Sequence, residues 1–454
     1  MKTYDLIVIG GGRASNLAVA AAQAGKKVAL IEKSKLGGTC PNRGCVPSKL
    51  LIGYAEVARS IRESGRHHID STINSINVEQ MIRETNEWSS QVDGRYASRH
   101  PERLDLYRGH GSFASDYVVE VNGQQLTSLQ IVIATGARPR AAPVAGIPAW
   151  TSDDLFPLKG DVPNSITIVG GGFIAAEIAN FFDAVGIPTT VLVLEDGLVQ
   201  IEDHDIAEVF TAQFSKYVDT RLGVSIESVE HDGTQFSMKL SNGDSHQSEA
   251  LFYAIGRVLN TDNIGLENTT MKRDERGGVI RDEYLETSVP GVYAIGDAGT
   301  AVQLQHIASR EQEFLQRRLL KNDDSPIEYG AIGHAVYSHP EIGSVGLTEQ
   351  QAEKSGRRYV CVLQDWLASA RAMSTRLDYP RTKLIVDVDT YEIIGCHLIG
   401  PESSTMIHQI MMLMHLKNDI RELPAMIHIH PALPEALMTA ANAAIAKIES
   451  QKES

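Results

Sequence analysis

Residues 4–32 read YDLIVIGGGRASNLAVAAAQAGKKVALIE and predict how the fold begins. The apolar run at residues 6–9 predicts a buried strand that ends in glycines, and an alanine-rich helix and a second apolar strand follow. This is a β-α-β unit of about 30 residues. Gly10 and Gly12 permit a tight turn and the close approach of a pyrophosphate to the helix N-terminus. Glu32 ends the second strand, where a carboxylate can accept hydrogen bonds from ribose hydroxyls.

The same pattern recurs at residues 165–196, SITIVGGGFIAAEIANFFDAVGIPTTVLVLED. Gly170 and Gly172 stand in the turn, and Glu195 follows the second strand. Two such units in one chain predict two dinucleotide-binding domains. A carboxylate at the end of the strand, with no arginine between residues 186 and 216 to hold a 2′-phosphate, favours NAD(H) over NADP(H). Ala175, at the third position of the turn, favours the opposite preference.

The composition argues against several classes of function. The 454 residues carry 42 Lys and Arg against 57 Asp and Glu, a net charge of −15, which disfavours general nucleic-acid binding. No apolar run reaches the roughly 18 residues of a membrane helix. Four cysteines are too few for a secreted disulfide scaffold, and Cys361 and Cys396 are interpreted as small buried hydrophobic residues. We expect a cytoplasmic protein of about three domains that binds neither membrane nor nucleic acid.

A close cysteine pair lies in residues 37–49, GGTCPNRGCVPSK. Cys40 and Cys45 would be about 7.5 Å apart along an ideal helix. Because the Cα atoms of a disulfide rarely lie more than about 6.8 Å apart, a bond between them needs a distorted turn, which Pro41 and Gly44 permit. A strained, accessible disulfide is of the redox-active kind. The alternatives are two free thiols or a metal site, but further Cys or His ligands at matching spacing are missing nearby, so we expect no metal.

This cysteine motif, lying between two dinucleotide units, resembles the pyridine nucleotide–disulfide oxidoreductase family, which includes lipoamide dehydrogenase and the glutathione, mycothione and mercuric reductases. Residues 134–136 (ATG) and 254–260 (AIGRVLN) resemble the family's crossovers between flavin and nicotinamide domains. Residues 295–297 (IGD) resemble the motif that holds the flavin ribityl chain, and residues 430–435 (HPALPE) resemble its C-terminal His-x4-Glu.

The resemblance implies an α/β fold with two Rossmann-like domains, for FAD and NAD(P), and an α+β dimerisation domain. It divides the chain into a discontinuous FAD-binding domain (1–145 and 265–330), an NAD(P)-binding domain (146–264) and a dimer-interface domain (331–454). It also places the following residues at the cofactors: Gly10, Gly12, Glu32, Lys49, Gly111, Ala134, Thr135, Gly136, Gly170, Gly172, Glu177, Glu195, Gly256, Gly296 and Asp297.

The resemblance further implies the path of the electrons, from the nicotinamide through FAD to Cys45 and from Cys40 to a small disulfide. His430 of the partner subunit would be the acid–base and Glu435 would orient it, so the active unit would be a homodimer. Lys49 and Glu177 would pair beside the flavin. His428 is interpreted as structural.

The substrate stays open at this point. The sequence HPALPE resembles mycothione reductase, whereas residues 366–372 and 435–442 resemble lipoamide dehydrogenase. The C-terminus lacks the vicinal cysteine pair of a mercuric reductase. We expect a lipoamide dehydrogenase-like enzyme that acts on a small thiol or disulfide, or on the lipoyl group of a carrier protein. The alternatives are a reductase of a mycothione- or glutathione-like disulfide, a flavin-dependent oxidase or reductase of quinones or metals, and a non-catalytic subunit of a complex.

Overall fold

The computed structural model describes residues 1–158 and 161–453. The first glycine turn follows the central strand of a five-stranded sheet whose pairings are all parallel. In spatial order its strands are β18 (Val292–Ala294), β8 (Ile131–Ile133), β2 (Leu6–Ile9), β3 (Val28–Glu32) and β4 (Leu104–Arg108). Residues far along the chain therefore complete the sheet that the first strands begin.

The second glycine turn lies in a separate parallel sheet of four strands. In spatial order these are β12 (Asp219–Arg221), β11 (Thr189–Leu192), β10 (Ile166–Val169) and β16 (Ala250–Tyr253). Each turn leads into a helix, α1 (Ala14–Gln23) or α7 (Phe173–Ala184), most of whose alanines are buried. The two predicted β-α-β units are thus present, and the α/β fold class is confirmed.

A two-stranded ribbon joins the two parallel sheets. Strand β9 (Ala137–Pro139) pairs antiparallel with β17 (Arg257–Leu259). The proline-rich residues 137–146 predict a linker between the two dinucleotide units, and the first three of them form one strand of this ribbon. Pro139 fits the end of such a ribbon because a proline can be tolerated where no amide hydrogen is needed by a neighbouring strand. The domain boundaries given above stay predictions.

The C-terminal part is an α+β unit, as predicted. Its five-stranded sheet is wholly antiparallel, in the order β19 (Gly333–Val336), β20 (Ile342–Gly346), β23 (Ile393–Ile399), β22 (Arg381–Asp387) and β21 (Tyr359–Asp365). Helices α12 (Ser403–Leu416) and α14 (Glu435–Glu453) pack on it. Cys396 is buried as expected, whereas Cys361 is only half-buried.

Two further sheets have no counterpart in the sequence-based expectations. One is mixed, with β1 (Lys2–Thr3) parallel to β7 (Gln124–Thr127), followed by the antiparallel strands β6 (Val118–Val121) and β5 (Gly111–Ser115). The other is antiparallel and contains β13 (Ile226–His231), β14 (Phe236–Leu240) and β15 (Ser245–Ser248).

The remaining α-helices lie between these strands. They are α2 (Thr39–Arg43), α3 (Cys45–Arg62), α4 (Val78–Ser90), α5 (Val92–Ala97), α6 (Ser152–Leu155), α8 (His204–Phe214), α9 (Gln305–Lys321), α10 (Glu349–Ser355), α11 (Ala370–Met373) and α13 (Glu422–Ala425). Within residues 1–158 and 161–453, no helix combines the length and the apolar character that a membrane crossing requires.

Candidate active site

The two glycine turns have the same construction. Gly10 has a φ of 113° and Gly170 a φ of 131°, a region that favours glycine. A Cβ at either position would also overlap a backbone carbonyl oxygen, that of Ala134 at the first turn and that of Ala254 at the second. Each turn is therefore closed tightly against the end of a neighbouring strand, and any side chain there would open it.

The first turn borders a cavity of about 390 Å³. Its lining includes these predicted cofactor residues: Gly10, Gly12, Glu32, Ala134, Thr135, Gly136, Gly296 and Asp297. Thr135 Oγ1 and Arg13 Nε are buried here without a hydrogen-bond partner among the described residues, so the cavity offers polar groups to a ligand. Glu32 is held by the amides of Gly11 and Ser34, each 2.6 Å from a carboxylate oxygen. These residues fit the adenosine and pyrophosphate of FAD.

Gly111 is placed differently from the other predicted cofactor residues. It does not line the cavity, and a Cβ there would lie 3.0 Å from Ile31 Cγ2, under the first parallel sheet. The geometry gives it a packing role, and its predicted contact with a cofactor receives no support.

The cysteine pair lies in an adjoining cavity of about 160 Å³, which Lys49, Glu177 and Asp297 also line. Helix α2 ends before Gly44, whose φ of −139° and ψ of −120° break the helical path, and α3 begins at Cys45. This break is the distorted turn that the spacing requires. Cys40 and Cys45 are free thiols in this structure.

The two thiols differ sharply in acidity. The hydrogen bond from Cys40, followed by the charge of Lys49, lowers the pKa of Cys45 to about 7 against the opposing effect of burial. The same hydrogen bond, together with burial, raises the pKa of Cys40, which must keep its proton to act as the donor. The dithiol therefore carries its negative charge on Cys45.

Lys49 and Glu177 form the predicted ion pair, with 2.7 Å between Nζ and Oε2. Burial raises the pKa of Glu177, and the ammonium group of Lys49 opposes the shift. Glu177 Oε1 also accepts a hydrogen bond from the amide of Tyr337 at 3.1 Å, and Lys49 Nζ lies 4.7 Å from the ring centroid of Tyr337. Tyr337 was not predicted, because no local sequence pattern marks its backbone amide as a partner of Glu177.

Asp297 projects into the same region and is paired with Arg257 at 3.4 Å. Burial raises the pKa of Asp297, and the charge of Arg257 opposes this shift. The neighbouring turn is fixed by Glu311, a fully buried carboxylate that accepts hydrogen bonds from Gly296 N at 2.6 Å and from Arg281 at 2.5 Å. Neither Arg257 nor Glu311 was predicted. Arg257 lies within the quoted crossover motif, whereas no sequence signal marks Glu311.

The second glycine turn borders a cavity of about 690 Å³. Gly170, Gly172, Glu195 and Gly256 line it, as predicted from the sequence. It shares four lining residues with the cysteine cavity: Phe173, Ile174, Arg257 and Gln303. The cysteine cavity also shares Cys40 and Asp297 with the cavity at the first glycine turn, so it lies between the two nucleotide-type cavities and adjoins both.

The C-terminal pair has acid–base geometry. His430 Nδ1 lies 2.7 Å from Glu435 Oε1, and the amide of Ala432 donates to Glu435 Oε2 at 2.8 Å. These hydrogen bonds lower the pKa of Glu435, that to His430 having the larger effect. The imidazole of His430 is 76% exposed and lies outside the three cavities of its own chain. His428 instead lies 2.8 Å from the carbonyl oxygen of Leu423.

Two nucleotide-type cavities that meet at a cysteine pair define a class, the flavoprotein disulfide oxidoreductases. The chain belongs to the pyridine nucleotide-disulphide oxidoreductase family: residues 4–311 match that family, and residues 332–441 match its dimerisation domain. It is therefore an FAD-dependent oxidoreductase that uses a pyridine nucleotide, acts on sulfur groups and carries the dimerisation domain of a homodimer.

Individual relatives agree with this. The chain is 31% identical over 447 residues to a dihydrolipoyl dehydrogenase of Chlamydia muridarum, covering 96% of this chain and 95% of that protein. It is also 31% identical over 464 residues to a mycothione reductase of Mycobacterium tuberculosis, covering 97% and 99%. Among solved structures, the Cu(II) complex of the HOCl-induced flavoprotein disulfide reductase RclA from Escherichia coli superimposes with a TM-score of 0.86 at 27% identity, covering 98% of this chain and 100% of that one.

Proposed function

We propose that this protein transfers electrons between NAD(H) and a small disulfide or dithiol, and that its substrate is a lipoyl group. The observation that carries the proposal is the position of the Cys40–Cys45 dithiol in a cavity that adjoins both nucleotide-type cavities. When bound, FAD supplies a two-electron carrier between the nicotinamide and this dithiol.

The chain's own residues have distinct roles in this proposal. We assign Cys45, whose thiolate is stabilised, to the exchange with the flavin and Cys40 to the exchange with the substrate disulfide. Lys49 keeps a positive charge beside Cys45, because Glu177 holds its ammonium group. Asp297 and Glu32 orient the cofactor's hydroxyl groups.

His430 is proposed to act on the cysteines of the partner subunit. Its imidazole is exposed next to two strongly exposed apolar side chains, Ile427 at 96% and Ile429 at 82%. Exposed apolar residues of this size mark a surface that another protein covers. Glu435 fixes the orientation of the imidazole and stabilises its cation, so that Nε2 is free to take and return the proton of a thiol.

Support for a lipoyl substrate comes from the same segment. Met426, Ile427 and Ile429 precede the proposed acid–base in the chain and are exposed, and such apolar surface suits an aliphatic arm better than the charged ends of glutathione. The test is anaerobic turnover with NADH or NAD⁺ and a panel of lipoamide, mycothione and glutathione in disulfide and thiol forms. Lipoamide should give the highest kcat/KM, and a higher value for another disulfide would refute the substrate. Cu(II) belongs in the panel, because the similar E. coli protein was solved in complex with it.

The acidity of Cys45 is directly measurable. In the two-electron-reduced enzyme, the long-wavelength absorbance of a thiolate beside the flavin should be full at high pH. It should fall with a midpoint near pH 7 as the thiolate is protonated, since the pKa of Cys45 is lowered to about 7 from an ordinary 9.0. Absorbance spectra between pH 5 and 10 give this midpoint.

The matched variant is Cys40→Ala, studied with oxidised flavin. It removes the hydrogen-bond donor that contributes most to the lowered pKa of Cys45, so the midpoint should move above that of the wild type. An unchanged midpoint would show that Cys40 does not set the acidity of Cys45.

NADH should be preferred over NADPH, with a kcat/KM at least about tenfold higher, a difference of about 1.4 kcal/mol. Glu195 and Glu227 line the second cavity, and Arg257 lies at its cysteine end, paired with Asp297. A 2′-phosphate near two carboxylates is repelled. Steady-state kinetics with the two nucleotides measures the ratio.

Two variants test the charge argument. Glu195→Gln should lower the ratio of kcat/KM for NADH to kcat/KM for NADPH. Glu230→Gln, which changes an exposed carboxylate of β13 outside the cavity, should leave it unchanged. A wild-type enzyme that prefers NADPH would contradict the assignment.

A further inference from the structure

The proposed chemistry leaves an ion cluster around a buried lysine without a role. Lys383 on β22 lies 2.8 Å from Asp203 Oδ1, 2.6 Å from Asp205 Oδ2 and 2.6 Å from Glu349 Oε2. Its side chain is only 2% exposed. A buried lysine is costly unless it is fully paired, and such clusters contribute more to fixing one arrangement than to net stability. The cluster therefore indicates that residues 203–205 must be held in one position relative to β22 and α10.

A second buried carboxylate lies one residue before this cluster. Glu202 Oε1 is 2.8 Å from His334 Nε2, and Glu202 Oε2 accepts a hydrogen bond from Ser344 Oγ at 2.7 Å. Asp203 Oδ2 also accepts a hydrogen bond from the amide of Glu349 at 2.9 Å. Residues 202–205, which we call the acidic segment, are thus bound to the C-terminal unit at β19, β20, β22 and α10.

The acidic segment continues directly from a wall of the nucleotide cavity. Gly197, Val199, Gln200 and Ile201 line that cavity, and Ile201 immediately precedes Glu202. The amide of Val199 donates to the carbonyl oxygen of Gly171, in the second glycine turn, at 2.6 Å. The wall is therefore held at one side by the glycine turn and at the other by the dimerisation domain.

We propose that Glu202 and Lys383 are positioning residues that hold the cavity wall at residues 197–201 in the conformation that binds the nicotinamide nucleotide. The inference rests on the proposed function, in which this cavity is the nucleotide site. A wall that is already ordered does not lose conformational freedom when the nucleotide binds, so anchoring it favours binding without altering the chemical steps. Nucleotide affinity would then depend on contacts made in the dimerisation domain.

The test is the variant Glu202→Gln in the FAD-loaded dimer. Stopped-flow reduction of the flavin should need about tenfold more NADH for half-saturation, because one charge-assisted interaction of the anchor is lost. The limiting rate of reduction and the rate of reoxidation by disulfide should stay within about twofold of wild type. In amide hydrogen exchange without nucleotide, residues 197–201 should exchange faster in the variant, and NAD⁺ should restore much of their protection.

The matched control is Asp183→Asn. Asp183 on α7 also forms an ion pair between two helices, with Arg59 on α3 at 2.7 Å. It lies outside the cavity wall at residues 197–201 and outside the acidic segment. Its half-saturating NADH concentration should equal that of wild type. An equal rise in this control would overturn the proposal, as would a Glu202→Gln enzyme with unchanged half-saturation and exchange.

Two further measurements keep the outcome decisive. If Glu202→Gln does not fold, Ser344→Ala is the alternative, because it removes the hydrogen bond from Ser344 to Glu202. It should raise the half-saturating NADH concentration two- to threefold and speed amide hydrogen exchange at residues 197–201. No change in either quantity would overturn the proposal. In the wild type, NAD⁺ should protect the turn at residues 170–172. If this turn is not protected, the nucleotide site itself is misassigned, which is a separate failure from that of the anchor.

Discussion

Cys45→Ser is expected to abolish disulfide turnover, to below about 0.1% of wild type, while the protein keeps its FAD. Serine cannot form or break the sulfur–sulfur bond on which the proposed reaction depends. FAD should remain bound, because the cavity that fits its adenosine and pyrophosphate is formed by other residues, among them Gly10 and Asp297. Turnover with NADH and lipoamide measures the first effect, and the ratio of flavin to protein absorbance measures the second.

The matched control is Cys361→Ser. Cys361 is half-buried in β21, outside the three cavities, so this variant should retain most of its activity. If Cys45→Ser retains more than a few per cent of disulfide activity, the assignment of Cys45 is wrong.

His430→Gln is expected to slow the reaction with disulfide by about 10²–10⁴-fold, the usual loss when a general acid–base is removed. Reduction of the flavin by NADH should be nearly unaffected, because His430 lies outside the nucleotide cavities. Glu435→Gln should slow the same step less, since it removes only the orientation and charge support of the imidazole. Rapid-mixing measurements of the two half-reactions separate these effects.

His428→Gln is the control for this prediction. His428 already lies against the carbonyl oxygen of Leu423, so its loss should change the half-reactions little. Equal defects in the two histidine variants would point to a damaged loop in place of a lost acid–base.

Mixed dimers test whether His430 acts across the interface. A dimer of one His430→Gln subunit with one Cys45→Ser subunit contains one site with an intact cysteine pair and an intact partner histidine. Such preparations should recover about a quarter to a half of wild-type activity, the range set by how completely the mixed species forms. If they stay inactive although both parents fold and bind FAD, the site lies within one chain.

The local parts of this site could be predicted from the sequence. The glycine turns, the cysteine pair and the His-x4-Glu motif each lie within a few consecutive residues. The spacing of their residues therefore indicates how close in space the side chains can come. All three are present in the structure, and Gly44 provides the helix break that the cysteine spacing requires.

The long-range parts could not be predicted in the same way. Tyr337 meets Glu177 across 160 residues of sequence, and no local pattern announces a backbone amide that binds a buried carboxylate. The sequence predicts only a linker at β9, because the pairing of this strand depends on β17, far along the chain. An acidic stretch such as residues 202–205 usually lies on a solvated surface. Only the fold shows that Asp203 and Asp205 are paired with the buried Lys383.

The ribbon of β9 and β17 also bears on how such an enzyme can be recombined. Pro139 and Arg257 are paired in register. The chain therefore enters the part with the second parallel sheet and leaves it through adjacent strands, about 5 Å apart. The segment between them, which we call the cassette, therefore begins and ends at neighbouring positions. Segments with such adjacent ends can be exchanged between related proteins. A cassette from a relative with the opposite coenzyme preference can be spliced at this pair, provided that it brings carboxylates to match Lys383. Without them the buried ammonium group of Lys383 would keep only Glu349 as a partner.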